Sequence, residues 1–186
     1  RRNIAVLVFL YNVFLLSMVL VVMAGNAILF LIVWEVMSVT TYFLIIHEHE
    51  DPSSRRAGIL YIVMTHIGTA LLLVMFITLA GFAHSFSFEA FRHVRTQIPP
   101  SVNTWMFLCA LVGFGMKAGI VPLHIWLPEA HPAAPSNVSA SMSGVMIKMG
   151  IYGMVRVFFD FFVPGPEWWG ILVLFIAVAS AVLGVL

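Results

Sequence analysis

The sequence predicts an all-α protein, a polytopic helical bundle that crosses a membrane several times. Hydrophobic residues make up 62% of the chain and charged residues only 9%. The mean hydropathy is +1.06, which excludes an ordinary soluble domain. The apolar runs are continuous, each about 20 residues long, and show no alternation of polar and apolar residues. Because backbone groups in hydrocarbon must pair within their own segment, these runs should be helical.

We expect five spans, at about 4–24, 27–46, 57–82, 103–126 and 136–161, and a sixth that begins near residue 168. The joints between them are the tight Gly25-Asn26, the charged segment 47–56, the longer segment 83–101 and the proline-rich segment 127–135. The first run is too long for a secretory signal peptide and is interpreted as a span. The chain lacks a start methionine and ends in apolar sequence, so we expect it to be a fragment.

Arginine placement predicts an orientation in the cell (inner) membrane. Arg1 and Arg2 precede the first span, and Arg55 and Arg56 lie between the second and third. The positive-inside rule places both joints on the cytoplasmic side. Two further arginines in the segment 83–101, on the opposite side, argue against this orientation.

The two lysines, Lys117 and Lys148, both lie inside long apolar runs, whereas all seven arginines lie in polar joints or near segment ends. Arginine stays charged at any accessible pH, but a lysine can lose its proton when it is removed from water. A chain that keeps lysine in its interior and arginine at its borders therefore points to proton handling.

The fourth span is expected to break directly after Lys117. Pro122 removes a backbone donor and clashes with the preceding turn, and Gly119 adds conformational freedom beside it. A broken transmembrane helix is tolerated where it lines a cavity or is buried in protein, and such breaks recur at ion sites in transporters. An ordinary proline kink is the alternative, and the lysine one turn earlier favours the ion site.

Glu35 adds a third charge, near the centre of the second span. A lone charge at that depth costs at least about 2.5–3.5 kcal/mol, so charges there usually face one another or water. We hypothesise that Glu35 pairs with Lys117 and that Lys148 is the next proton site, reached through bound water. A purely structural ion pair would leave one of the two lysines without a partner.

Several other side chains could relay protons. His66 lies near the middle of the third span, and imidazole exchanges protons near neutral pH, although a lone histidine is more often a hydrogen-bonded packing residue. His124, Glu129 and His131 follow the break and could pass protons from the surface, or could be structural or interfacial.

The remaining residues exclude other classes. The acidic and histidine residues of segment 47–51 are interpreted as a solvated loop, because adjacent positions rarely converge on one metal ion. The single Cys109 excludes a disulfide framework or a cysteine-ligated cluster carried by this chain alone. A net charge of +1 does not indicate nucleic acid. We expect no catalytic residue, metal or cofactor in this chain.

Three stretches resemble a known family: Trp34-Glu35, the segment Gly115 to Ser136 (GMKAGIVPLHIWLPEAHPAAPS) and the segment Ser143 to Gly153 (SGVMIKMGIYG). They are similar to the antiporter-like proton-translocating subunits of respiratory complex I, of membrane-bound nickel-iron hydrogenases and of Mrp-type sodium/proton antiporters. The amino-acid sequence of the central stretch is most similar to that of the hydrogenase 4 and formate hydrogenlyase branch.

The resemblance implies roles for the three charges. Glu35 would be the carboxylate of the first half-channel, Lys117 the pumping lysine before the broken helix, and Lys148 the connecting lysine on the next helix. Residues 1–163 would form the first five-helix repeat and residues 164–186 the start of a second. The partners would be the lipid bilayer, other membrane subunits and a peripheral redox arm.

Three interpretations compete. The chain could belong to a proton-translocating, non-redox subunit of a redox-driven complex, to an Mrp-type Na⁺/H⁺ antiporter subunit, or to a scaffold whose buried charges only hold helices together. Dependence of transport on sodium would favour the second, and transport that survives neutralisation of all three charges would favour the third.

Overall fold

The computed structural model describes residues 4–162 and 165–184, and this part of the chain is a helical bundle. The helices are α1 (Ile4–Met23), α2 (Ala27–Ile45), α3 (Pro52–Ala83), α4 (Phe88–Val94), α5 (Pro100–Ala118), α6 (Leu127–Ala133), α7 (Ser136–Ser141), α8 (Ile147–Arg156) and α9 (Glu167–Leu183). A short 3₁₀ turn, Ile46–Glu48, follows α2. Two π-helical segments flank α8: the first π segment, Met142–Met146, and the second π segment, Val157–Phe161.

The predicted fold class, a polytopic helical membrane protein, is confirmed. Four helical stretches of the described chain are long and apolar enough to cross a membrane: Ile4–Met23, Ala27–Glu48, Pro52–Ala83 and Ser136–Phe161. Their limits agree with the predicted spans except at the third, which begins at Pro52 and not at residue 57. Pro52 occupies the first turn, where its missing N–H costs nothing. Arg1 and Arg2 lie outside the described residues.

Asp51 caps the start of α3. One of its carboxylate oxygens accepts the backbone N–H of Ser53 at 3.2 Å, and the Ser53 hydroxyl donates to the other oxygen. These hydrogen bonds hold the pKa of Asp51 below its usual value because they stabilise the carboxylate. Part of the charged segment is therefore helix cap, and the remainder is largely exposed.

The turn between α1 and α2 is tied to the segment after α3. Asn26 caps α2 by accepting the backbone N–H of Leu29 at 2.8 Å. The N–H of Ala27 donates to the carbonyl of Phe86 at 2.9 Å, and the N–H of Phe88 donates to that of Gly25 at 3.1 Å. The predicted loop 83–101 thus contains a short helix, α4, and closes one end of the bundle.

The fourth predicted span is interrupted. Helix α5 ends at Ala118, and Gly119 adopts a φ of +67°, in the left-handed region that favours glycine. The chain continues through turns as far as Trp126 before α6 begins. The segment 127–135, predicted as a joint, is mostly helical because Pro128 lies in the first turn of α6, where proline is compatible with a helix.

Small residues bring α5 close to its neighbours. A Cβ added to Gly68 in α3 would lie 2.9 Å from the carbonyl oxygen of Gly113 in α5, and the converse distance is also 2.9 Å. On the other side of α5, a Cβ at Gly150 of α8 would lie 2.7 Å from the backbone nitrogen of Ala118. Close backbone approach at small residues is typical of helix packing in membranes. It fixes the end of α5 that carries Lys117.

Candidate functional site

Lys117 is almost completely buried, with 1% of its surface exposed, in the last turn of α5. Its ammonium nitrogen Nζ donates to Ser38 Oγ on α2 at 2.8 Å and to Tyr61 Oη on α3 at 2.9 Å. Ser38 in turn donates its own proton to the carbonyl of Trp34 at 3.0 Å. Three helices therefore converge on one ammonium group.

Aromatic rings form the walls of this site. Lys117 Nζ lies 5.6 Å from the centroid of the Trp34 ring and 5.3 Å from that of the Tyr61 ring. A cation over the face of a tryptophan ring at such a distance is attracted by the ring quadrupole, most strongly when removed from water. At Tyr61 the ammonium group lies on the hydroxyl side of the ring and is held by the hydrogen bond. We call Lys117, Ser38, Tyr61 and Trp34 the lysine cage.

Trp126 stabilises the broken segment beside the cage. It is fully buried, and its indole N–H donates to the carbonyl of Met116 at 2.7 Å. Its ring meets that of Tyr61 edge to face, with centroids 5.0 Å apart. A helix end leaves carbonyls without intrahelical partners, and the indole satisfies one of them. The backbone N–H of Val121, also in the break, donates to Ser180 Oγ of α9 at 3.0 Å.

Glu35 does not form the direct ion pair with Lys117 that the sequence suggested. Its Oε2 lies 3.3 Å from Nε2 of His66, and no hydrogen bond or ion pair joins it to the lysine. The reason is geometric: Ser38, one turn further along α2, occupies the position facing the ammonium group. The carboxylate remains near enough to interact electrostatically with both Lys117 and Tyr61.

Glu35 and His66 lie at the outer side of the bundle. Their side chains are 30% and 52% exposed, respectively, in the isolated chain. The other ring nitrogen of His66, Nδ1, lies 2.9 Å from the carbonyl of Ile62, and Glu35 Oε1 is buried without a hydrogen-bond partner. A cavity of about 570 Å³ opens beside Glu35 between α2 and α3, with walls that are mostly aliphatic.

Lys148 is exposed, contrary to the expectation that it is buried like Lys117. Its Nζ donates to the carbonyl of Gly144 at 2.7 Å and to that of Ser143 at 3.4 Å. Both carbonyls belong to the first π segment, one turn earlier in the same span. Lys148 lies within the apolar helical stretch Ser136–Phe161, but its side chain points away from the interior of the described bundle.

The lysine cage nevertheless contacts the segment that precedes Lys148. Tyr61 Oη lies 3.6 Å from the sulfur atom of Met146, and Thr41 Oγ1 lies 3.4 Å from the same atom. Met146 is fully buried and is the last residue of the first π segment. π-helical turns are rare and are frequently found at functional sites.

The predicted relay residues after the break, His124, Glu129 and His131, form no hydrogen bond with the lysine cage. His131 Nδ1 lies 2.9 Å from Ser139 Oγ, Glu129 is exposed, and half-buried His124 has an unpartnered Nδ1. Gly119 and Pro122 lie in the break itself, and a Cβ at Gly119 would overlap the side chain of Leu127. Among the described residues, no cluster of three or more His, Cys, Asp or Glu side chains could hold a metal ion.

Sequence reasoning missed Ser38, Tyr61, Thr41 and Trp126. A signal for two of them was present: Glu35, Ser38 and Thr41 follow one another at three-residue spacing along an otherwise apolar helix. That spacing places each of them one turn from the next along α2. Tyr61 and Trp126 carry no comparable signal, because isolated aromatic residues are common in membrane helices.

The chain belongs to the membrane-spanning family described as "NADH:quinone oxidoreductase/Mrp antiporter, TM", which it matches over residues 24–186. The family resemblance found in the motifs is thereby confirmed.

Individual relatives agree with this assignment. The chain is 43% identical to hydrogenase-4 component B of Escherichia coli over 187 residues, covering 100% of this chain and 27% of that protein. It is 30% identical to NADH-quinone oxidoreductase subunit M of Pseudomonas aeruginosa over 171 residues, covering 83% of this chain and 34% of that protein. The chain therefore spans about a quarter to a third of the length of these relatives.

A solved structure shares the fold. A chain of the membrane-bound sulfane sulfur reductase, an archaeal respiratory membrane complex, superimposes with a TM-score of 0.81 at 24% sequence identity. The match covers 94% of this chain and 35% of that one. The bundle described above therefore has the same fold as a chain of that respiratory membrane complex.

Proposed function

We propose that this chain is the proton-carrying part of an antiporter-like subunit in a redox-driven membrane complex of the hydrogenase or NADH:quinone oxidoreductase type. One observation carries the proposal: a fully buried ammonium group, Lys117, lies at a helix break and is held by hydroxyls from two other helices. A lysine in this environment can both bind and release a proton, which an arginine could not do.

Electrostatic interaction with Glu35 would control that proton. While the carboxylate is ionised and near, it stabilises the protonated form of Lys117. If Glu35 moves away or is neutralised, the ammonium group is left buried with only neutral partners and releases its proton more readily. His66, in contact with Glu35, is the side chain best placed to supply or withdraw the neutralising proton.

The released proton would move towards Lys148. The contact of Tyr61 with Met146 joins the cage to the first π segment, and Lys148 lies two residues beyond it. Bound water would complete the path between them. The family resemblance assigns residues 1–163 to the first five-helix repeat and residues 164–186 to the start of the second, which would continue the path.

Partners are inferred from exposure. Glu35, His66 and Lys148 are partly exposed on an apolar bundle, and a charge facing hydrocarbon at mid-membrane costs at least about 2.5–3.5 kcal/mol. We therefore propose that the rest of the protein and neighbouring membrane subunits cover these side chains in the cell (inner) membrane. A peripheral redox arm would supply the energy.

The second candidate is a subunit of an Mrp-type Na⁺/H⁺ antiporter. The specific observation in its favour is the carboxylate oxygen Oε1 of Glu35, which is buried without a protein partner and has the oxygen chemistry that a hard cation requires. In this case transport would depend on sodium and would need no redox partner.

The proposed function is tested by replacing Glu35 with glutamine in the full-length protein. We expect the initial rate of proton uptake by inverted membrane vesicles, driven by the complex's own electron donor, to fall roughly tenfold or more, which corresponds to about 1.4 kcal/mol of lost stabilisation. Glu167→Gln, at an exposed position at the start of α9, is the matched control and should leave the rate unchanged.

Two outcomes would contradict the proposal. An unchanged rate in the Glu35→Gln vesicles would remove the role given to this carboxylate. Proton movement that stops when choline replaces sodium, and that needs no electron donor, would favour the antiporter instead.

A further inference from the structure

The Tyr61 hydroxyl lies between different parts of the site, with the hydroxyls of Ser38 and Thr41 also beside it. Its oxygen lies 2.9 Å from Lys117 Nζ and 3.6 Å from the sulfur of Met146. An ammonium group has only donors, so a protonated Lys117 forces this oxygen to act as the acceptor. The hydroxyl hydrogen is then free to point at the Met146 sulfur, which is a weak acceptor.

A neutral Lys117 changes this arrangement, because its amine nitrogen has a lone pair and can accept a hydrogen bond. A hydroxyl gives a stronger hydrogen bond to an amine nitrogen than to a thioether sulfur, so the Tyr61 hydrogen would turn from Met146 to Lys117. The ring need not move, since only the C–O torsion rotates. Deprotonation of Lys117 would therefore weaken the contact between the Tyr61 hydroxyl and the Met146 sulfur.

We propose that the Tyr61 hydroxyl is a switch that transmits the charge of Lys117 to the first π segment, and so to Lys148. The inference rests on the proposed function only in taking Lys117 to change its protonation. Tyr61 is a positioning residue in this role, because it acts through Met146.

The first π segment is suited to respond. Met146 is fully buried, and its other polar contact is the Thr41 hydroxyl at 3.4 Å. The same segment supplies the two carbonyls, of Gly144 and Ser143, that bind Lys148. Because π-helical turns interrupt the regular α-helical hydrogen bonding, a small change at Met146 can alter the carbonyls offered to Lys148.

The charged and titratable groups around the switch come from four helices. Lys117 lies on α5, Glu35 on α2 interacts electrostatically with both Lys117 and Tyr61, His66 on α3 contacts Glu35, and Lys148 on α8 binds the π segment. Glu35 is therefore kept unchanged in the test.

The test measures hydrogen–deuterium exchange of the peptide covering residues 142–148 in the full-length protein, held in lipid nanodiscs. Lys117→Arg offers only donors to Tyr61, whereas Lys117→Gln offers an acceptor carbonyl. We expect the Gln variant to exchange roughly fivefold faster than the Arg variant, the size expected from one lost hydrogen bond. The difference should disappear when each of these substitutions is combined with Tyr61→Phe.

A second comparison does not alter Lys117. Tyr61→Phe and Met146→Leu should each speed exchange of residues 142–148, whereas Tyr42→Phe, on α2 outside the cage, should not. The second π segment, residues 157–161, is the internal control and should be unaffected in every variant.

Three results would overturn the switch. The first is an Arg-to-Gln difference that persists when the Tyr61→Phe substitution has removed the hydroxyl. The second is the absence of any such difference while Tyr61 is intact. The third is unchanged exchange of residues 142–148 in the Tyr61→Phe variant itself.

This readout uses no transport, so it separates the two proposals. If vesicles carrying Glu35→Gln pump normally, the proposed function fails whatever the exchange rates are. If those vesicles fail to pump, and Tyr61→Phe does not change the exchange rate of residues 142–148, only the switch is wrong.

Discussion

Replacing Lys117 with alanine in the full-length protein is expected to abolish proton translocation while leaving assembly largely intact. Transport should fall by roughly a hundredfold or more, the range seen when a positioned proton-transfer group is lost. Assembly should survive because Ser38 keeps its hydrogen bond to the Trp34 carbonyl and Tyr61 keeps its contact with Met146. Removing a buried ammonium group also removes the cost of burying it.

Proton uptake by vesicles and native gel electrophoresis of the complex measure the two effects separately. Cys109→Ala is the matched control, since Cys109 is buried on the same helix, α5, and lies outside the lysine cage. It should pump at the normal rate. Normal pumping by Lys117→Ala would rule out the role given to the lysine.

Gly150→Ala adds only one methyl group, yet we expect it to lower the stability of the bundle strongly. The added Cβ would lie 2.7 Å from the backbone nitrogen of Ala118 and 2.8 Å from the carbonyl oxygen of Phe114. Backbone atoms inside a helix cannot move to another rotamer as a side chain can, so α8 must shift away from the end of α5. Overpacking of this kind costs about 1–3 kcal/mol. Lys148 would move away from the cage with α8.

Gly81→Ala is the matched control on α3, because nothing lies within 4 Å of a Cβ built there. In an open helical position, alanine is favoured over glycine by up to about 1 kcal/mol. Thermal unfolding of the two variants in nanodiscs should therefore change in opposite directions. Equal midpoints would contradict the close packing of α5 against α8.

The sequence alone was sufficient to predict the features that depend only on a residue's position along the chain. The break after Lys117 could be predicted because Gly119 and Pro122 act on their own backbone, whatever surrounds them. The membrane class followed from the length of the apolar runs, which also depends only on position along the chain.

The direction in which a side chain points around its helix axis was predicted less well. Glu35 and Lys148 were expected to face inwards with Lys117, yet Glu35 contacts His66 and Lys148 is exposed. In α2 nearly every neighbour of Glu35 is apolar, so this helix has no polar face that would reveal which side is buried. The hydroxyls of Ser38 and Tyr61 could be assigned to Lys117 only when α2, α3 and α5 were placed together.

Lys117→Arg tests the central claim most directly, because arginine keeps the positive charge but does not release its proton. The measurement is the initial rate of proton uptake by vesicles that contain the assembled full-length complex. If Lys117 acts by binding and releasing a proton, the arginine variant should assemble and should not pump. Pumping at the normal rate with arginine at this position would mean that the cage needs only a fixed charge, and would contradict the account.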